Sequence, residues 1–232
     1  MSARIYALVP AGGSGSRAGH DEPKQFRLLQ GETVLAHALR PLAAEPRIDA
    51  VFVVLSPADR HFRSIDWSGF GERLVPLYCG GSSRAATVAN GLAAIADTVE
   101  LEDWVLVHDA ARPCLPREDV SRLIDRLEQD PVGGLLAVPV ADTLKAGDGE
   151  DQVARTVPRE GLWQALTPQM FRMGLLLRGL EAAREAGRDP GDEAAAIESL
   201  GLSPRLVRGW RGNIKITYGE DFDLAERLLG AR

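Results

Sequence analysis

Residues 10–24 concentrate backbone freedom and positive charge. The run Pro10-Ala11-Gly12-Gly13-Ser14-Gly15-Ser16-Arg17 is followed by Pro23-Lys24. Glycines let peptide N–H groups approach anionic oxygens closely and form an anion nest. Arg17 and Lys24 supply the charge to neutralise a phosphate held there. The run is not a P-loop, because no Gly-Lys-Ser/Thr closes it. It also misses the dinucleotide fingerprint, since Gly13-x-Gly15 is followed by Gly19, one residue late. The bland reading is a surface turn after the first strand. Two cations placed behind the glycines weigh the segment toward phosphate chemistry instead.

Lysine usage points the same way. The chain holds 27 basic residues, and Lys24, Lys145 and Lys215 are its only lysines. An arginine-rich genome explains the general shortage, but not why Lys24 and Lys215 survive in glycine-rich or basic loops. Arginine is a broad fork and lysine a slim point charge, so a retained lysine in such a loop suggests a site that needs a narrow ammonium. The net charge is -6, which gives no general attraction for nucleic acid or membrane surfaces. Local balance differs: residues 1–30 carry a net +2 and residues 208–217 a net +3 from Arg208, Arg211 and Lys215. Basic islands in an acidic protein suit a small anion.

These residues need a scaffold, and strands alternate with helices from the start. Arg4–Pro10 reads as a strand ending in the glycine loop. Val34–Leu42 reads as a helix with Thr33 as N-cap. Ala50–Leu55 is a continuous apolar run, as for a strand buried on both faces. Arg73–Tyr78 is a short strand, and Ser83–Ala96 a helix with Val88, Leu92 and Ile95 along one stripe. Asp103–His108 reads as a buried strand, Arg117–Gln129 as an amphipathic helix and Gly134–Val140 as a strand. Residues 141–165 are polar and glycine-punctuated, an excursion from the core. Gln169–Ala186 and Asp192–Ser199 are predicted helices, Arg205–Arg208 and Ile214–Thr217 short strands, and Gly219–Leu229 a closing helix. The expected architecture is a single domain over 1–232: a doubly wound α/β sheet with an arm at about 141–165. Ligands in such folds bind beyond the carboxyl ends of the strands, where the glycine loop and the segment after His108 both fall.

Gly-Gly-x-Gly-x-Arg followed by Pro-Lys resembles the nucleotidyltransferase or pyrophosphorylase signature. Further segments narrow the resemblance. They are Pro23-Lys24-Gln25-Phe26, Gly80-Gly81 with Arg84, Val107-His108-Asp109-Ala110-Ala111-Arg112-Pro113, Asp142-Thr143-Leu144-Lys145, Gly161-Leu162-Trp163-Gln164-Ala165-Leu166-Thr167-Pro168-Gln169 and Asn213-Ile214-Lys215-Ile216-Thr217. In this order they cover nearly the whole chain, and together they resemble the methylerythritol phosphate cytidylyltransferase family, whose fold is of the nucleotide-diphospho-sugar transferase type.

That resemblance implies attack of the phosphate of 2-C-methyl-D-erythritol 4-phosphate on the α-phosphorus of CTP, with release of pyrophosphate, in non-mevalonate isoprenoid precursor synthesis. The attacking phosphate is already anionic at neutral pH, so the task is to bring two anions together and stabilise the transition state. By resemblance, Arg17 and Lys24 stabilise that state. Ala11, Gly12, Gly13, Gly15, Gly81 and Thr87 hold CTP. Arg159 and Lys215 position the substrate phosphate, with Asp109, Ala110, Arg112 and Thr143 around it. Mg²⁺ is expected on the triphosphate oxygens, with Asp109 a candidate carboxylate for the metal. His108 is expected to be a packed neighbour rather than a base. The arm matches one that interlocks two subunits, so a homodimer is expected, with Arg159 serving the partner's site.

Three positions depart from the family pattern. Pro10 stands where Ala is common, Thr87 where Ser is usual, and Gly191 where a Thr often contacts the substrate phosphate. A related enzyme for a pentitol phosphate such as ribitol 5-phosphate, and a nucleotide-binding module without catalysis, are the competing readings. The Trp163-to-Gln169 string and the retained cations weigh against them. The N-terminus shows no signal-peptide pattern, no apolar run reaches membrane-spanning length, and Cys79 and Cys114 lack metal-ligand spacing. A cytoplasmic protein with reduced thiols is expected. The chain ends just after its last predicted helix, so no fused second enzyme is expected.

Overall fold

A computed structural model describes residues 3–13 and 23–231. Gly15 and Arg17 fall within 14–22, outside the described residues. The strands are β1 (Ile5–Pro10), β2 (Leu28–Leu29), β3 (Glu32–Thr33), β4 (Ile48–Val54), β5 (Leu74–Leu77), β6 (Trp104–Val107), β7 (Gly133–Pro139), β8 (Leu144–Gly147), β9 (Val153–Val157), β10 (Trp163–Arg172) and β11 (Arg205–Arg208). The helices are α1 (Val34–Ala43), α2 (Arg84–Ala94), α3 (Arg117–Leu127), α4 (Met173–Glu185), α5 (Glu193–Glu198) and α6 (Glu220–Gly230).

Seven strands form one sheet in the order β11-β7-β10-β6-β1-β4-β5. All its pairings are parallel except those of β10, which runs against both β6 and β7. From β1 the chain builds outward to β4 and β5, then returns to lay β6 on the other side of β1. The order therefore reverses between β1 and β6, and the carboxyl ends of these two strands frame the crevice where such folds take ligands.

The period-two alternation of β1 divides the core in two. Ile5, Ala7 and Val9 enter one cluster with Leu35, Leu39 and Leu42 of α1 and Val120, Leu123, Ile124 and Leu127 of α3. Tyr6 and Leu8 enter the other, with Val88 and Leu92 of α2, Leu176 and Leu180 of α4 and Ile197 of α5. Helices thus cover both faces, which explains the unbroken apolar run at Val51–Leu55. The expected N-cap is present: the Thr33 hydroxyl accepts from Ala36 N–H at 3.1 Å. No helix of the described residues is long and apolar enough to cross a membrane.

Three expectations need correction. Gln169–Arg172, expected as the start of a helix, is the end of β10, and α4 begins at Met173. Met170 and Phe171 are fully buried between β6 and β7, and burial on both faces of a central strand removes the alternation that would have marked it. Ile214–Thr217 is not a strand. It is tied in by its own contacts, including Ile216 N–H to the Ala111 carbonyl at 2.8 Å. The excursion over 141–165 is a two-stranded hairpin, β8 with β9, but Trp163–Ala165 already pair with Pro139–Ala137 in the main sheet.

Candidate active site

The crevice is an open cleft of about 520 Å³ at the carboxyl ends of β1 and β6. Ala11, Gly12 and Gly13 form one wall, the turn Gly81–Ser83 with Arg84 and Thr87 a second, and Asp109–Ala111 the floor; Lys24 and Lys215 reach in from the remaining sides.

The two glycine turns stand back to back. A Cβ at Gly80 would lie 2.8 Å from the Leu55 carbonyl oxygen and 3.3 Å from Gly12 Cα, so the approach of the two loops requires glycine there. Gln25 secures the first loop: its side-chain amide, almost wholly buried, donates to the carbonyls of Ala11 at 2.9 Å and Gly13 at 3.0 Å. Thr87 secures the second. Its hydroxyl accepts from Gly81 N–H at 3.1 Å and lies 2.9 Å from the Ser83 carbonyl. That is the hydroxyl which the Ser-to-Thr change keeps. The Lys24 ammonium donates to the Ile216 carbonyl at 2.5 Å, which sets the two lysine-bearing segments side by side.

Asp109 is the electrostatic centre. Its Oδ1 accepts from Arg84 Nε at 2.8 Å, and its Oδ2 lies 3.0 Å from Lys215 Nζ and 3.4 Å from Arg112 Nε. Burial works against ionising this carboxyl, but Arg84, Lys215 and Arg112 outweigh it and hold the pKa far below the usual carboxylate range. Arg84 reaches onward with its other two nitrogens to the Glu193 carboxylate, at 2.7 and 3.0 Å.

Behind Asp109 residues from three of the quoted strings lock into one polar wedge. His108 is fully buried, and burial pushes its pKa down to about 4. Its Nε2 lies 3.3 Å from the Arg112 carbonyl, which can only accept, so this nitrogen carries the proton. Its Nδ1 then accepts from the Thr167 hydroxyl at 2.9 Å, which in turn accepts from Asp109 N–H at 3.1 Å. Asn213 donates to the Thr167 carbonyl at 2.8 Å, and its own carbonyl accepts from Arg112 at 2.7 Å. Both imidazole nitrogens are consumed in orienting Asp109 and Arg112, so His108 is a packed neighbour and not a base.

Several predicted residues sit elsewhere. Arg112 is buried behind Asp109 and does not line the cleft. Thr143 and Arg159 are exposed at the foot of the hairpin, where Arg159 donates to the Ala141 carbonyl. Among the described residues no group of three or more His, Cys, Asp or Glu could hold an ion. Asp109 is the one carboxylate among the described lining residues, and three cations already engage it. A protein-held divalent ion does not fit that donor set. Sequence reasoning missed Gln25, Glu193 and Gln169 as parts of the site. Gln25 and Gln169 stood inside the quoted strings, while Glu193 looked like an ordinary first-turn acid of a helix.

Residues 5–231 match the family of 2-C-methyl-D-erythritol 4-phosphate cytidylyltransferase. The chain belongs to that family. A 2-C-methyl-D-erythritol 4-phosphate cytidylyltransferase of Thiobacillus denitrificans is 54% identical over 231 residues, covering 98% of each chain. One of Aromatoleum aromaticum is 55% identical over 229 residues, covering 99% of this chain and 97% of the relative. A crystal structure of 4-diphosphocytidyl-2C-methyl-D-erythritol synthase superposes with a TM-score of 0.85 at 40% identity, over 99% of both chains. The fold expected from the alternating pattern is the observed one.

Proposed function

We propose that this cytidylyltransferase joins CTP to 2-C-methyl-D-erythritol 4-phosphate, giving 4-diphosphocytidyl-2-C-methyl-D-erythritol and pyrophosphate. The observation that carries the reading is the meeting of Lys24, Lys215 and Asp109 with the two glycine turns in one cleft, from segments far apart in the chain. The glycine turns cradle the triphosphate by their peptide N–H groups. A non-bridging oxygen of the substrate phosphate forms a bond to the CTP α-phosphorus as the α–β bridging bond breaks in line, and pyrophosphate leaves with that electron pair. No proton needs to move. Arg17 and Lys24 offset the charge that builds around the α-phosphorus, as slim and forked donors aimed at an anion do elsewhere.

Lys215 and Asp109 divide the labour at the acceptor. The ammonium takes the substrate phosphate, and the carboxylate, kept ionised by its neighbours, accepts from substrate hydroxyls. Ala110 leaves room beside them. Arg112 shapes this floor from behind. Mg²⁺ would be carried by the CTP phosphates, since Asp109, the one carboxylate among the described lining residues, is already engaged, and it would supply charge neutralisation there. Arg159 and Thr143 serve the second subunit of a homodimer, whose arms exchange contacts. The exposed Val153, Leu162 and Trp163 on and beside the hairpin support a face that is covered in the assembly. A cytoplasmic location fits the unbridged thiols of Cys79 and Cys114.

Pyrophosphate release measured with CTP, ATP and UTP against a panel of polyol phosphates tests the reading. CTP with methylerythritol phosphate is expected to give the highest kcat/KM. A markedly higher value with ribitol 5-phosphate would replace the acceptor, and no release with any pair would leave a binding module.

A further inference from the structure

Arg84 uses every arm of its guanidinium inside the protein. Nε goes to Asp109, and the two terminal nitrogens make a bidentate fork with Glu193. Such a fork fixes a plane as well as a distance. Glu193 is 1% exposed and does not line the cleft. It is held in place from its own side. The Gln169 side-chain Oε1 accepts from Ala194 N–H at 2.8 Å, and its Nε2 donates to the Asp192 carboxylate at 2.9 Å. Asp192 caps α5 through Ala195 N–H at 2.9 Å. A continuous set of contacts thus runs from β10 through the first turn of α5 to Arg84 and on to Asp109. On the far side of Asp109, Lys215 Nζ lies 3.0 Å from that carboxylate, its one ion pair among the described residues, and its side chain is 41% exposed.

We infer that Glu193 is a positioning residue for the acceptor half of the reaction: it fixes the Arg84 plane, which orients the Asp109 carboxylate, which in turn sets where the Lys215 ammonium waits for the substrate phosphate. Arg84 on this account is a rivet for Asp109: each of its three nitrogens already holds a carboxylate oxygen. Glu193 also balances charge. Arg84, Arg112 and Lys215 crowd around one aspartate, and without a second anion their repulsion would loosen the group before substrate arrives. Burial alone would drive this glutamate neutral, and Arg84 opposes that; a neutral Glu193 would lose the fork.

The inference rests on the acceptor assignment proposed above, and its test is separable from it. In the full-length enzyme, Glu193→Gln keeps the shape and removes the charge. The expected result is a KM for methylerythritol phosphate raised about tenfold, a KM for CTP within about twofold of wild type, and partial recovery in Glu193→Asp. Adding Glu193→Gln to Arg84→Gln should cost nothing beyond Arg84→Gln alone, because both changes cut the same link. If Glu193→Gln is poorly folded, Glu193→Asp is expected to show the same split at two- to threefold. Equal rises in both KM values, unchanged values in folded variants with only a lower melting temperature, or additive losses in the double variant would overturn the inference. Absence of activity with methylerythritol phosphate in the wild type would instead overturn the acceptor assignment.

Discussion

The floor of the cleft and the hairpin that leaves the sheet make opposite use of polar residues. At the floor, His108, Asp109, Arg112, Thr167, Glu193 and Asn213 are all buried, and each is bonded to another of the set or to Arg84. In the hairpin, β8 and β9 are mostly exposed and nowhere buried, held by one ladder and by Lys145 Nζ to the Thr156 hydroxyl at 2.7 Å. An isolated two-stranded hairpin is marginal in water. The difference teaches that the cleft floor pairs its polar groups within the chain, whereas the hairpin leaves most of its own to solvent. Each experiment below asks whether that division holds.

The largest effect is expected at the cleft. Lys24→Ala should lower kcat by about 10²–10³-fold, the usual cost of removing one donor aimed at transition-state charge, while the KM for CTP changes only modestly. Near-normal turnover in a steady-state pyrophosphate assay would remove Lys24 from the mechanism and leave the task to Arg17 and the glycine turns.

The buried wedge should next reveal itself in acid. The folded His108 titrates at about 4 and the unfolded one near its ordinary 6.5. Between those values the unfolded chain binds the extra proton, so stability rises with pH across the window. The contribution is fully present above about pH 6.5 and lost as pH falls toward 4, reaching up to about 3 kcal/mol. Asp109 and Glu45 have lowered pKa values, so their contributions disappear only at lower pH. Glu193 is raised by burial and works in the opposite sense. Comparing wild type with His108→Asn isolates the imidazole. Denaturant melts from pH 7 to 4.5 should show a shallower slope in the variant, and an unchanged slope would mean that the histidine is not held neutral.

How much of this was legible beforehand follows the same division. Helices α2 and α3 announced themselves by an apolar stripe along one face, and α1 by its Thr33 cap. The order of the strings placed Lys24, Asp109 and Lys215 near one another in function, but only by resemblance. The reversed strand β10 was not legible, because Gln169-Met170-Phe171-Arg172 is short, buried on both sides and followed directly by a helix, so a helical period could absorb it. Glu193 was invisible for a different reason. A first-turn acid ordinarily serves the helix dipole at the surface, and nothing local reveals that Arg84, over a hundred positions away, takes it into the core. Long-range pairing of charges is the information that periodicity lacks.

For the hairpin, the expectation is an effect about ten to a hundred times smaller than at Lys24, and one that crosses between chains. Arg159→Ala should raise the KM for methylerythritol phosphate about tenfold with little change for CTP, the loss of one charged phosphate contact. If subunits share sites, mixing Arg159→Ala with Lys24→Ala protein under conditions of subunit exchange should recover activity, up to about a quarter of wild type for random pairing in a two-fold dimer. Recovery would show that the exposed arm is completed by its neighbour. Failure of rescue, with exchange demonstrated by a tag, would return Arg159 to its own chain.

The smallest effect concerns Gly191, which precedes the Asp192 cap of α5. Nothing lies within 4 Å of where its Cβ would be, and the residue is exposed. A threonine therefore fits without moving the loop that carries Glu193. Its hydroxyl would add one hydrogen bond to a charged phosphate, worth about 1.5–3 kcal/mol when fully formed, but ordering an exposed side chain and competing with water take back much of that. Gly191→Thr should lower the KM for methylerythritol phosphate by about two- to fourfold and leave kcat and the KM for CTP unchanged. A fall in both KM values would place position 191 against the nucleotide instead. No change at all would mean that the turn Gly191–Asp192 stands too far from the acceptor phosphate, and that the rigid floor, not this loop, supplies the whole of its recognition within one chain.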